Sequence, residues 1–234
     1  MIFKNKINCI KRPLLTFNVK IILTISFLMT LANAEKLRLK RADVLESKKI
    51  GFETVKHLQG NVQFQKGDIK LNCQKSVYKE KKDIALLFNQ VKIFKDDLIL
   101  ECDSVTFYSK KNKLESNGNP IIYDLDYKLV ADSLIYFTKI DSGIALGNVE
   151  LIQNNQKIKA DRIEYVKNPG SEAISYIAIG NVEIIDSLRT ATCGLAKYND
   201  ISEKTILDRR PLIIDEQRTI VGERNSTTNM IKNH

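Results

Sequence analysis

One block of about 29 residues recurs six times along this 234-residue chain, and a period of that length restricts the fold to an array of one supersecondary unit. The blocks begin at Gly60, Asn89, Gly118, Gly147, Gly180 and Arg209, in steps of 29, 29, 29, 33 and 29. Thirteen residues after each start stands a small residue, Cys73, Cys102, Ala131, Ala160, Cys193 or Gly222, followed by Gln74, Asp103, Asp132, Asp161, Gly194 or Glu223. Eighteen residues after the first five starts stands an aromatic: Tyr78, Phe107, Tyr136, Tyr165 and Tyr198.

Within each block apolar and polar residues alternate, which is the period of a strand with one buried face. Val62 and Phe64 alternate with Asn61, Gln63 and Gln65, and Ile69, Leu71 and Cys73 alternate with Lys70 and Asn72. Turn residues divide each block into two strands of roughly 11 or 12 residues, longer than the usual strand. One set of turns is tight, at Lys66-Gly67-Asp68, Asp96-Asp97, Leu125-Asp126, Asn154-Asn155, Ser187-Leu188 and Glu216-Gln217. Asp and Asn suit the positive φ of two-residue hairpins. The alternate set is looser, at Glu80–Asp83, Lys110–Lys113, Asp141–Gly143 and Asn168–Ser171, and the last absorbs the four extra residues of the long step.

Each long strand is disturbed halfway, by Gly-Asn at residues 60, 118, 147 and 180 on one strand type and by the small-residue-Asp pairs on the other. Such residues permit a bulge or sharp bend, and bent strands pass from one layer to another. The Asp reads as a local acceptor that stabilises the bend. The expected fold is therefore all-β: an antiparallel meander of about a dozen bent strands forming two facing sheets around an apolar interior with open ends. Lys40–Ser47 supplies a degenerate extra unit through Ala42-Asp43 and Leu45. Pro120 and Pro211 stand where other units have Val and predict strands that are interrupted or at an edge there.

Residues 1–34 have the layout of a secretory signal, with a basic start, an apolar run from Ile21 to Leu31 and Ala32-Asn33-Ala34, so cleavage after Ala34 is expected. The rival reading joins Leu14–Ala32 into a membrane anchor, interrupted by Lys20. Loss of the segment's five Lys/Arg lowers the formal charge from +9 to +4, which removes the case for nucleic-acid binding. The repeat domain is expected over residues 35–223, and a polar, frayed tail over 224–234.

Cys73, Cys102 and Cys193 share the small-residue position, which reads as packing, with a Cys73–Cys102 bridge left open by an oxidising compartment. There is no CxxC pair, only two His, and no nucleophile motif or phosphate-binding Gly loop, so no catalytic residue, metal or cofactor is expected.

The phrases "GNVQFQKGDIKLNCQKSVY" from Gly60, "GNVELIQNNQKIKADRIEY" from Gly147 and "RADVLE" from Arg41 resemble the LptA/OstA-like (organic-solvent-tolerance-like) family, over about Leu37 to Glu223. The resemblance implies a slipped β-jelly roll, or β-taco, located in the periplasm. It implies lipopolysaccharide as cargo, with the lipid A acyl chains in an apolar trough. It also implies end-to-end homo-oligomers that bridge LptC-like inner-membrane and LptD-like outer-membrane components in outer-membrane biogenesis.

The candidate lipid-facing set is the inward aliphatic series Val62, Phe64, Ile69, Leu71, Val91, Ile93, Leu98, Leu100, Ile122, Leu129, Val149, Leu151, Ile158, Val182 and Ile184. Plain core packing is the alternative for each of them. Two other readings of the whole chain stand beside transport: a structural β-repeat scaffold whose interior is filled by its own side chains, and a membrane-anchored LptC-like component.

Overall fold

In the computed structural model the described residues run from 35 to 231, apart from 126, 154, 168–173, 200, 203, 216–217 and 223–227. The signal or anchor reading of residues 1–34, the insertion at Asn168–Ser171 and the Glu216-Gln217 turn lie outside them. Among the described residues no helix is long and apolar enough to cross a membrane.

The described residues form antiparallel strands: β1 (Arg38–Arg41), β2 (Val44–Ile50), β3 (Glu53–Lys66), β4 (Ile69–Lys79), β5 (Ile84–Lys95), β6 (Leu98–Tyr108), β7 (Lys113–Asn117), β8 (Ile121–Tyr123) and β9 (Tyr127–Val130). They continue as β10 (Ser133–Phe137), β11 (Ser142–Gln153), β12 (Gln156–Lys167), β13 (Ile174–Ile185), β14 (Arg189–Asn199), β15 (Lys204–Asp208), β16 (Leu212–Asp215), β17 (Thr219–Val221) and β18 (Thr228–Ile231). Each strand pairs with its neighbour in the chain order of the repeat, so the units follow one another laterally. The fold is the expected all-β, antiparallel β-jelly roll built from two-strand units.

At every repeat start the backbone takes two consecutive left-handed residues: Gly60-Asn61, Asn89-Gln90, Gly118-Asn119, Gly147-Asn148, Gly180-Asn181 and Arg209-Arg210. In four units the register skips there, as where Leu146 pairs with Arg162 but Val149 with Ala160, so that two residues face one. This is the geometry of a bulge that bends the ladder. Where proline follows, the ladder breaks altogether: β7 and β8 are separated by Gly118–Pro120, and β15 and β16 by Arg209–Pro211, as the two prolines predict.

The bend folds the sheet onto itself. Phe64 pairs with Leu71, and Tyr78 lies seven residues further along β4, yet the Phe64 and Tyr78 rings are 5.5 Å apart. A straight strand would separate them by about 23 Å. The expected two facing sheets are thus one continuous sheet whose bent strands supply both layers, around a single core cluster.

The Asp beside each bend acts across units. The Asn61 side-chain amide donates to Asp43 at 2.8 Å, Asn148 to Asp132 at 3.0 Å, and Asn181 to Asp161 at 3.0 Å. A Cβ on Gly60, Gly118, Gly147 or Gly180 would run into Asp43, Asp103, Asp132 or Asp161. Two of the three units without Asp obey the same rule in reverse: Gln74 precedes Asn89, and Gly194 leaves room for Arg209, whose Cβ would lie 2.8 Å from a Cβ at residue 194. The expectation of a local acceptor is corrected to a contact between one unit and the next. Asp43 confirms the degenerate first unit, since its N–H donates to Gln59 and Gly60 carbonyls at 3.1 and 2.9 Å.

Two further readings change. The polar tail holds β18, whose residues Lys204↔Ile231 to Leu207↔Thr228 add to the open edge of β15. The Cys73–Cys102 bridge is ruled out, because Cys73 on β4 and Cys102 on β6 flank Val91 on β5. Two strand spacings put their α-carbons roughly 9.6 Å apart, beyond the ~7 Å reach of a disulfide. Cys73, Cys102 and Cys193 are all free.

Burial pushes the Cys73 thiol up to about 11 and the Cys102 thiol up to about 12. Because the folded state keeps protons that the unfolded state loses, this contribution to stability is intact below about pH 8.5 and falls as pH rises through 11 to 12. At pH 8 both thiols are expected to react with a thiol-specific aromatic disulfide only as fast as the domain unfolds. Rapid labelling of either native peptide, read by mass spectrometry, would contradict this packing.

Candidate functional site

The two layers meet inner face to inner face, and each contributes one wall. The wall nearer the tight turns contains the predicted series. Fourteen of its fifteen members are buried, and Leu98 is partly buried against the same cluster. The opposite wall, nearer the loose turns, was not among the candidates. It consists of Leu58, Leu87, Val105, Phe107, Leu114, Leu134, Ile163 and Leu207, with small Ala85, Ala145, Ala178 and Ala196 between them. The aromatic at the eighteenth position of the first five units belongs to this wall and was its visible signal.

At the loose-turn end the aromatics follow a second rule. The Tyr78 hydroxyl donates to Asp83 at 2.8 Å and the Tyr136 hydroxyl to Asp141 at 2.5 Å, each five residues on. Both acceptors are left-handed turn residues, with φ of 57° and 45°. Where the aromatic is Phe107, the residue five further on is Asn112, also left-handed at φ 50°. Burial, followed by the neighbouring Asp83 carboxylate, raises the Tyr78 hydroxyl well above its usual range, and burial with Asp141 does the same for Tyr136. For Tyr165 the residue five further on, Gly170, lies outside the described residues. The buried Tyr165 hydroxyl has no hydrogen-bond partner among the described residues, and its ring lies over Gly143, where any Cβ would collide with it.

Two lysines close the mouth between the rims. Lys66, at the end of β3, reaches the loose turn of the second unit, where its ammonium donates to the Ser109 carbonyl and to Asn112 Oδ1 at 2.5 Å, and lies 5.9 Å from the Phe107 ring centre. Lys95, one period later, pairs with Asp141 in the third unit's turn. The same position in the next units is Asp124, Gln153, Asp186 and Asp215, so the lysine bolts belong to the first half alone.

Beyond them, Tyr127, Leu129, Leu151, Gln153, Tyr165 and Tyr176 border a gap of about 20 Å³ between the walls. That is room for about one water and not for a lipid chain. Burial, then Asp124, raises the Tyr127 hydroxyl above its usual range. Among the described residues the interior is therefore a packed core, bolted over units one to three and containing this gap in units three and four. A groove of about 550 Å³ near the loose-turn ends of the strands is lined both by the inward Tyr165, Tyr176 and Tyr198 and by Ile144, Val166, Ile177 and Ile206, which alternate with inward residues.

The sequence profile described as OstA-like protein matches residues 75–223. No protein of curated function matches the chain. Among solved structures it is similar to that of LptH from Pseudomonas aeruginosa, described as the LptA homologous periplasmic component of the conserved lipopolysaccharide transport device. The identity is 19%, the match covers 42% of this chain and 74% of that one, and the TM-score is 0.39.

Proposed function

The chain belongs to the OstA-like protein family, and from that premise we propose that it is an exported component of lipopolysaccharide transport that holds acyl chains between the two walls of the folded sheet. The observation that carries this reading is the continuous apolar interior, with both ends of the array left as open strand edges. All seven residues of β2 are exposed at one edge and all three of β17 at the other. Unpaired edge strands invite strand addition, which suits end-to-end assembly with further copies or with LptC-like and LptD-like partners. Each methylene moved from water into the interior contributes about 0.8 kcal/mol, enough for a chain to displace loosely packed side chains.

Entry requires the walls to part, and the unbolted half around Leu151 is where they part most easily. Photo-crosslinking residues at Leu100 and Leu151 in living cells are expected to capture lipopolysaccharide at both positions, more at 151 than at 100. Absence of adducts at both positions, with efficient labelling of protein neighbours, would sink the transport reading. The packed interior favours a second reading, a β-repeat scaffold with no cargo. Depletion of the protein separates the two, since only transport predicts glycolipid accumulating at the inner membrane.

A further inference from the structure

The two rims of the folded sheet differ in the charge they expose. The tight turns expose Asp68, Asp96 and Asp97 and include Asp124, Asp186 and Asp215. The loose turns of the first half expose lysines, and the backbone ties them into one edge. Glu80 N–H donates to Thr54 carbonyl at 3.1 Å, Ser109 N–H to Asp83 at 3.1 Å, and Thr138 N–H to Asn112 at 2.8 Å. The Lys110 ammonium donates to the Lys81 carbonyl at 3.0 Å. Four successive turns two strand spacings apart make a row roughly 29 Å long.

That row also carries exposed apolar tips. Phe52 is 93% exposed, Ile50 63% and Ile140 61%, although nothing in the fold requires large apolar groups at turn tips. Lys81 lies 6.0 Å from the Phe52 ring centre. The carboxylates on this rim are already engaged: Glu80 with Lys56 at 3.1 Å, Glu53 with Lys82 at 3.6 Å, Asp83 with Tyr78, and Asp141 with Lys95 and Tyr136. No carboxylate among the described residues lies within ion-pair distance of Lys49, Lys81, Lys110, Lys111 or Lys139.

We propose that this rim is an interfacial docking edge for an anionic lipid bilayer, with Phe52, Ile50 and Ile140 entering the head-group layer and the flanking lysines meeting lipid phosphates. Apolar tips framed by lysines match the two demands of such a surface, burial of apolar area and neutralisation of surface charge. Lysine stems also cover apolar surface while their ammonium groups stay hydrated. The tight-turn rim also exposes Leu125 and Leu188, but beside the carboxylates of Asp124 and Asp186 rather than a cluster of unpaired lysines, so the loose-turn rim of the first half is the one that meets both demands. The proposal does not depend on what the interior holds.

The chain contains no Trp, so a single Phe52→Trp substitution places a unique fluorophore on the rim. With the full chain and vesicles of phosphatidylglycerol and phosphatidylcholine, its emission is expected to shift to the blue. Pure phosphatidylcholine should produce little shift. Leu188→Trp, on the acidic rim, carries the same N-terminal segment and should not shift. Changing Lys81, Lys110 and Lys111 to Glu in the Phe52→Trp chain should lower the partitioning it reports at least about 100-fold, since each near-surface lysine contributes about fivefold.

Equal shifts at residues 52 and 188, equal shifts with neutral and anionic vesicles, or no shift at residue 52 would each overturn the proposal. So would abolition of the shift by a soluble phosphorylated saccharide at constant ionic strength, which would assign the rim to isolated head groups. The interior crosslinks at Leu151 are a separate result and stand or fall alone.

Discussion

Replacing Gly147 with valine is expected to destabilise the domain by about 3–5 kcal/mol, the sum of left-handed backbone strain for a β-branched residue and overpacking against a neighbour. Gly147 has φ +74°, and a Cβ there would lie 2.9 Å from the Asp132 carboxyl carbon and closer still to one of its oxygens. For a domain of this size the midpoint should fall by roughly 10 °C. The pair Gly147→Ala with Asp132→Gly tests the cause, because it copies the relation already present between Gly194 and Arg209. Removing the facing carboxylate should recover about 1–3 kcal/mol of the loss from Gly147→Ala alone. If the double variant is no more stable than the single one in urea unfolding, the steric account of the Asp–Gly pairing fails.

Phe107→Ala should cost a similar amount, about 3–5 kcal/mol. Phe107 is fully buried in the second wall and lies beneath the Lys66 ammonium that holds the rims together. Truncation leaves a cavity under a buried cation whose remaining partners are the Ser109 carbonyl and the Asn112 side chain, besides contacts elsewhere. The loss should appear as a lower urea midpoint with an unchanged slope, because the surface exposed on unfolding is nearly the same. A loss below about 1 kcal/mol would mean that the two walls collapse onto each other at this point, and that the interior is softer than its burial implies.

The strand pattern was legible because a period of two states which side chains share a face, whatever the rest of the molecule does. Val62, Phe64, Leu71 and their equivalents could therefore be named as inward from the sequence, and all are buried. The second wall was harder to read. Leu58, Leu87 and Leu134 alternate just as clearly, but beyond the bend the chain gives no local sign that their face turns back onto the first wall.

The lysine bolts were hidden for another reason. Lys66 and Lys95 look like solvated turn flanks in the sequence. They become bridges only because folding brings a turn some 43 to 46 residues away within reach of each ammonium. The cysteine question had the same character: spacing allowed a Cys73–Cys102 bridge, and the intervening strand β5 forbids it.

The sequence by itself determined the unit, its two strands, the residue at which each bends and the faces that turn inward, because backbone sterics and alternation act over a few neighbouring residues. The Gly-Asn and Asp positions needed no tertiary information to be recognised as bends. Only the tertiary structure decided what meets across the bend: the Asp of one unit against the Gly of the next, Lys66 and Lys95 across the mouth, a Tyr165 hydroxyl without a hydrogen-bond partner among the described residues, and a lysine-rich, apolar-tipped row of loose turns. Those contacts depend on the bend angle and on the slip between successive units. Both are set by packing of the whole array, and no single repeat contains them.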